Sequence, residues 1–297
     1  MVGGARDIIT PSNGGAPLVC AEDGFDARVT PDRAIASIEA RPSRLDLSRL
    51  VGVRGGGKLR RALEEFVPAE RRNATPLYLI LDDLAGTSLV AGWAWSLWDP
   101  NWITTKTGNL TPEQWDKLMK DREGVCTGFA AGSSSLDLTR IAERSGRTPT
   151  ADLRHPLDPD GWHAFTIQNE IGMRRARRID VWLDDVIVID AAFQDSGSTP
   201  DGERAALHEY QLAATADPVS LRLLTIEATP RVLPFSECPG AVSNISRLLG
   251  AELSGLRQKV VEELPGTLGC THLNDALRAL AEVPALVTYL RKSAQAA

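Results

Sequence analysis

The chain has 297 residues, 43% of them apolar and 24% charged, with 33 Lys and Arg against 39 Asp and Glu and a formal net charge of −6. That length accommodates about two domains, and the composition excludes a disordered or fibrous chain. An acidic chain gains little of the phosphate attraction that dominates nucleic-acid binding. Its longest apolar run, Leu89 to Trp98, falls well short of the ~20 residues that span a bilayer. Neither nucleic acid nor membrane is therefore expected as a partner.

The first twenty residues show no charged n-region followed by an apolar h-region, so a cytoplasmic location is expected. Residues 1–30, with Gly3, Gly4, Gly14, Gly15 and Gly24, read as a largely irregular arm. Arg33 to Ala40 alternates as a half-buried strand does. After Gly55-Gly56-Gly57, Leu59, Ala62, Leu63 and Phe66 are spaced as on a helix that Pro68 ends. Leu77 to Leu81 has the length of a buried strand, and the apolar stretch to Trp98 that of a buried helix. Trp93, Trp95, Trp98 and Trp102 cluster there, either as packing or as the wall of an apolar pocket. Thr111-Pro112 opens a helix, with Thr as N-cap. The polar, Pro- and Arg-rich stretch Arg140 to Gly161 reads as the boundary between an N-terminal α+β region (31–150) and a C-terminal region (160–297).

In the C-terminal region, Arg177 to Leu183 and Val186 to Phe193 flank Asp184-Asp185 as a β-hairpin. The stretch DSGSTPDGER, starting at Asp195, is a loop by composition. His208 to Thr215 and Leu221 to Leu233 form a second antiparallel pair. Three helices follow, from about Pro239, Ser254 and Thr271. The class is α+β: an antiparallel sheet followed by C-terminal helices, with an N-terminal α+β extension.

The four cysteines are Cys20, Cys126, Cys238 and Cys270. Cys238 precedes Pro239 and Cys270 precedes Thr271, so both thiols stand at helix starts, where free N–H groups favour the thiolate. With His272, and with His208 at a strand start, they suggest a zinc or iron site of four mixed ligands, His208, Cys238, Cys270 and His272. The plainer alternative is two capping thiols and a backbone-bonded histidine. Cys126 is a further candidate ligand from a loop, and Cys20 a buried apolar residue. Arg174, Arg175, Arg177 and Arg178 form the basic cluster, either a solvated strand edge or, through Arg177 and Arg178, an anion site such as one for the phosphates of a coenzyme A thioester. Asp195 is a candidate general base beside the thiols.

RRIDVWL (177–183), DAAFQDS (190–196), HEY (208–210), LPFSECPGA (233–241) and GCTHLNDALRAL (269–280) resemble a bacterial family known as domain of unknown function 2889. TPLYLILDDLAG (75–86) and CTGFAAGSS (126–134) resemble its longer members. The family implies fold and site but no activity. The order of hairpins, helix-start Cys and last-helix Cys is also similar to iron–sulfur scaffold and sulfur-acceptor proteins, where three Cys and an acid or His hold zinc or a cluster. Cys238 and Cys270 match two of those positions; Asp184-Asp185 and Gly269 depart from the pattern.

These readings converge on a metal-dependent hydrolase or lyase. Cys238, Cys270 and Asp195 would do the chemistry, and Trp93, Trp95 and Trp98 would bind a small apolar acyl or ketone substrate. A binding protein with a structural metal and a sulfur or cluster carrier are the alternatives. The acidic surface and the tryptophans also allow a homodimer.

Overall fold

The computed structural model describes all residues except 13–14, 44–45, 100, 103–104, 106–107, 109, 138–146, 164–168 and 297. Part of the 140–161 stretch thus lies outside the described residues. The chain divides into two compact units, one of residues 1–90, 154–165 and 281–297, the other of 91–153 and 166–280. The division does not fall at one point of the chain, and residues 91–153 pack with the C-terminal sheet.

In the first unit, strands β1 (Val2–Ile9), β2 (Leu18–Val29) and β3 (Ile35–Arg41) form an antiparallel sheet in that order. The arm expected to be irregular is thus mostly strand. Gly3 and Gly24 serve close packing rather than loops. A Cβ at Gly3 would stand 2.3 Å from the Phe25 ring, and one at Gly24 would stand 2.9 Å from the Gly3 carbonyl oxygen. Helices α1 (Gly57–Phe66) and α2 (Pro68–Arg72) pack against α3 (Pro76–Val90), which packs on β1 and β2. Pro68 ends α1 by opening α2. The run at Leu77 to Leu81, expected as a strand, is the start of α3. Short apolar runs suit a buried helix as well as a strand, and α3 buries Leu77, Tyr78, Leu81, Leu84 and Ala85 together. Pro76 begins it, and the Asp23 carboxylate accepts from the Leu77 N–H at 3.1 Å.

The second unit begins with α4 (Trp93–Trp98) and α5 (Pro112–Lys120). Thr111 caps α5 in a reciprocal capping box with Gln114. The short β4 (Thr148–Pro149) precedes the main strands β5 (Met173–Leu183), β6 (Ile187–Ser198), β7 (Arg204–Ala216) and β8 (Leu223–Val232). These pair as an antiparallel meander, with β4 on the outer edge of β7. Both expected hairpins are present. The expected loop is confined to residues 199–203, because Asp195 to Ser198 continue β6 and Arg204 opens β7, the serines and Gly197 being small enough for a covered sheet.

A 3-10 helix (Cys238–Leu248), α6 (Leu256–Glu263) and α7 (Thr271–Ala279) follow. The last helix, α8 (Val283–Ala296), belongs to the first unit. The architecture is α+β, with antiparallel sheets and C-terminal helices. Among the described residues, no helix is long and apolar enough to cross a membrane.

Asp7 on β1 carries a carboxyl raised to about 7 by burial and by the Glu282 and Asp23 carboxylates. The folded state therefore holds this proton where the unfolded chain has lost it, and stability falls as pH rises from the ordinary carboxyl range to about 7. Asp7→Asn should raise the melting temperature by several degrees, roughly, at pH 8 and by clearly less at pH 5, as read by thermal denaturation.

Candidate metal centre

Side chains alternate along β6, so Phe193, Asp195 and Gly197 point to one face. Register places Arg175 of β5 on one side of Asp195 and His208 of β7 on the other. One residue further, Ser196 pairs with Ala206, so Leu207 is an extra residue, a β-bulge beside His208. Helix α7 lies against this face, with His272 in its first turn and Asp275 three residues on, one above the other.

The side chains meet closely. The rings of His208 and His272 stack with centroids 3.4 Å apart. His208 Nδ1 and His272 Nε2 each lie 3.7 Å from Asp195 Oδ2. Arg175 donates to both Asp195 oxygens, at 2.8 and 2.9 Å, and through Nη1 to Asp275 Oδ2 at 2.8 Å. Its guanidinium also lies 4.7 Å from the centre of the Phe193 ring. Asp195, His208 and His272 are all buried, at 0%, 5% and 8% exposure.

Burial, and then the facing His272, hold His208 well below the usual imidazole range. It is neutral at physiological pH, the form that binds metals. Its Nδ1 is buried and makes no hydrogen bond. The donor atoms of Asp195, His208 and His272 all lie within 4.8 Å of one another. Bonds of ~2.1 Å in tetrahedral geometry put ligand atoms about 3.4 Å apart, so the observed spacing fits a first-row metal after slight contraction. Arg175 is shared by two carboxylates, and a cation at the imidazoles would offset the second negative charge.

The two thiols are not part of this ligand set. Cys270 is the N-cap of α7, as expected, but Cys238 is the first residue of its 3-10 helix, with Glu237 as cap. Neither favours the thiolate. Burial pushes Cys238 up to about 12, and burial also raises Cys270. Desolvation outweighs the helix-end field here. Asp195, expected as a free base, has both oxygens bonded to Arg175.

Among the tryptophans, Trp93 and Leu97 of α4 press on Gly197, where a Cβ would stand 2.5 Å from Leu97 Cδ1. They therefore cover the same sheet face, one side-chain position from Asp195. Trp98 donates its indole N–H to the Ser198 carbonyl at 2.8 Å, and Trp95 stacks on Trp102. Arg177 reaches the Asp275 carbonyl, and Arg178 bonds Asp180, Asp190 and the Leu153 carbonyl. Sequence reasoning missed the roles of Arg175 and Asp275. The His-x-x-Asp spacing at 272 and 275 was the available signal.

Residues 173–286 match the model of a family described as "Protein of unknown function (DUF2889)". The resemblance carried by the C-terminal motifs thus holds for that segment. No curated protein and no solved structure matches the chain, and the likeness to iron–sulfur scaffolds gains no support.

Removing one partner of a buried ion pair strands the other's charge. Arg175→Met should lower unfolding free energy by ~3–5 kcal/mol, measured by urea denaturation, whereas Arg231→Met on the exposed edge should cost less than about 1 kcal/mol.

Proposed function

We propose that the protein is a metal-dependent enzyme of hydrolase or lyase type, with zinc or iron held by Asp195, His208 and His272. The observation that carries this reading is the convergence of three buried donor groups within 4.8 Å, with His208 Nδ1 unspent in hydrogen bonding. Two imidazoles and one carboxylate suit zinc or non-haem iron and leave coordination positions for other oxygens. When bound, such an ion supplies Lewis-acid polarisation of a carbonyl or activation of water.

The chain's own residues have separate tasks. Arg175 holds Asp195 with Oδ2 toward the imidazoles, and Asp275 anchors the far side of that guanidinium. Stacking fixes the two rings relative to each other. Trp93 and Leu97 give the same face an apolar wall, which suits a small acyl or ketone group. Arg178 is occupied by aspartates, so recognition of coenzyme A phosphates there has no support.

A second reading is favoured by the depth of the site. All three ligands are buried, as in a structural site with no open position. Metal analysis of the untagged protein tests both. About one equivalent of zinc or iron is expected at this centre, read as the metal lost between the wild type and His208→Ala or His272→Ala with the fold retained. A loss of less than about 0.2 equivalents in these variants after reconstitution rejects both readings. Metal without exchangeable water, read by solvent-proton relaxation of the Mn(II)-substituted protein, favours the structural one.

A further inference from the structure

Three cysteines converge beside the centre just described. Cys126 is the N-cap of a 3-10 turn, Cys238 opens the 3-10 helix, and Cys270 caps α7. All three are buried and free. Between them stands Tyr210, two residues beyond His208 on β7 and on the same face. It is 1% exposed, and its hydroxyl faces the Cys270 thiol. The three thiols, Cys270 foremost, are the polar groups acting on that hydroxyl.

The chain closes directly on the sulfurs. A Cβ at Gly128 would stand 2.7 Å from Cys238 Sγ and 3.9 Å from Cys126 Sγ. Cys126 arrives on a strap, residues 124–137, tied to the segments that bear the other two thiols. The Thr127 N–H donates to the Gly269 carbonyl at 2.8 Å, and its hydroxyl to the Thr267 carbonyl at 2.8 Å. The Ser134 N–H and hydroxyl donate to the Glu237 carboxylate at 2.8 and 2.7 Å. These bonds hold Glu237 down to about 2. Gly124 and Gly132 bracket the thiol-bearing turn at φ 79° and 77°, conformations that glycine tolerates best.

We infer that Cys126, Cys238 and Cys270 form a second metal site, for a divalent thiophilic ion of the zinc class, that the strap closes. The sulfurs are not all within 4.8 Å of one another. Closure therefore requires the strap to move inward between its two glycines. Each bound thiol releases its proton to solvent, and the Tyr210 hydroxyl beside Cys270 then donates to its thiolate.

Cobalt(II) added to the reduced, untagged full chain tests this without reference to catalysis. A strong near-ultraviolet thiolate-to-cobalt charge-transfer band is expected, bleached by added zinc. Cys126→Ser, Cys238→Ser and Cys270→Ser should each lower it by roughly a third or more, one thiolate of three being lost. Cys20→Ser and His208→Ala should leave it intact. Weak d–d bands alone, without charge transfer, would overturn the thiol site while leaving the Asp195 centre standing. A band that survives Cys126→Ser would also overturn it. If the serine variants unfold, zinc on the wild-type chain should slow alkylation of these three thiols by at least ~10-fold. Unchanged rates refute the site.

Discussion

The buried guanidinium of Arg175 is the interaction on which the second unit depends. It takes both oxygens of Asp195 on the sheet and one oxygen of Asp275 on α7. One side chain thereby ties β5, β6 and α7 together. Charge-assisted, bidentate bonding fixes orientation as well as distance, and desolvation makes the arrangement intolerant of a missing member. The stacked histidines are positioned by the same set: His208 by its register opposite Asp195, His272 by lying one helical turn before Asp275.

Burial shapes the chemistry in two opposite ways. It keeps His208 neutral and so ready to act as a ligand. It also keeps Cys238 and Cys270 protonated, which removes them as nucleophiles in the resting protein. The field of a helix start is small beside the cost of ionising a sulfur in an apolar interior. Burial thus leaves the imidazole in its ligand form and the thiols in a form that must first lose a proton.

The class, both hairpins of the meander and the α5 cap could be read from the sequence because each is a local pattern. Alternation, a turn dipeptide and a Thr-Pro start carry their own geometry. Motifs far apart in the chain group His208 with His272, but with Cys238 and Cys270 as fellow ligands and with Asp195 as a base beside the thiols rather than beside the imidazoles. What sequence could not supply was depth and register. Leu77 to Leu81 looks the same as strand or helix until its partners are known. Glycines at 3 and 24 look like loop residues, although they serve contact between strands. Arg175 looks like one of four exposed arginines, because nothing local marks which side of an edge strand α7 covers.

Leu207 has a consequence beyond local twist. Before it, Arg204 pairs with Ser198 and Ala206 with Ser196; after it, His208 pairs with Asp195. The inserted residue shifts the phase of β7, so that even-numbered side chains change faces at this point. Arg204 consequently turns to the reverse side, where it donates to the Ser196 hydroxyl and carbonyl. In an unbroken strand, Arg204 would share the face of His208 and bring a rival cation toward the Asp195 carboxylate. A single added residue thereby partitions two arginines between opposite surfaces of the sheet and keeps Arg204 away from the imidazole side of Asp195.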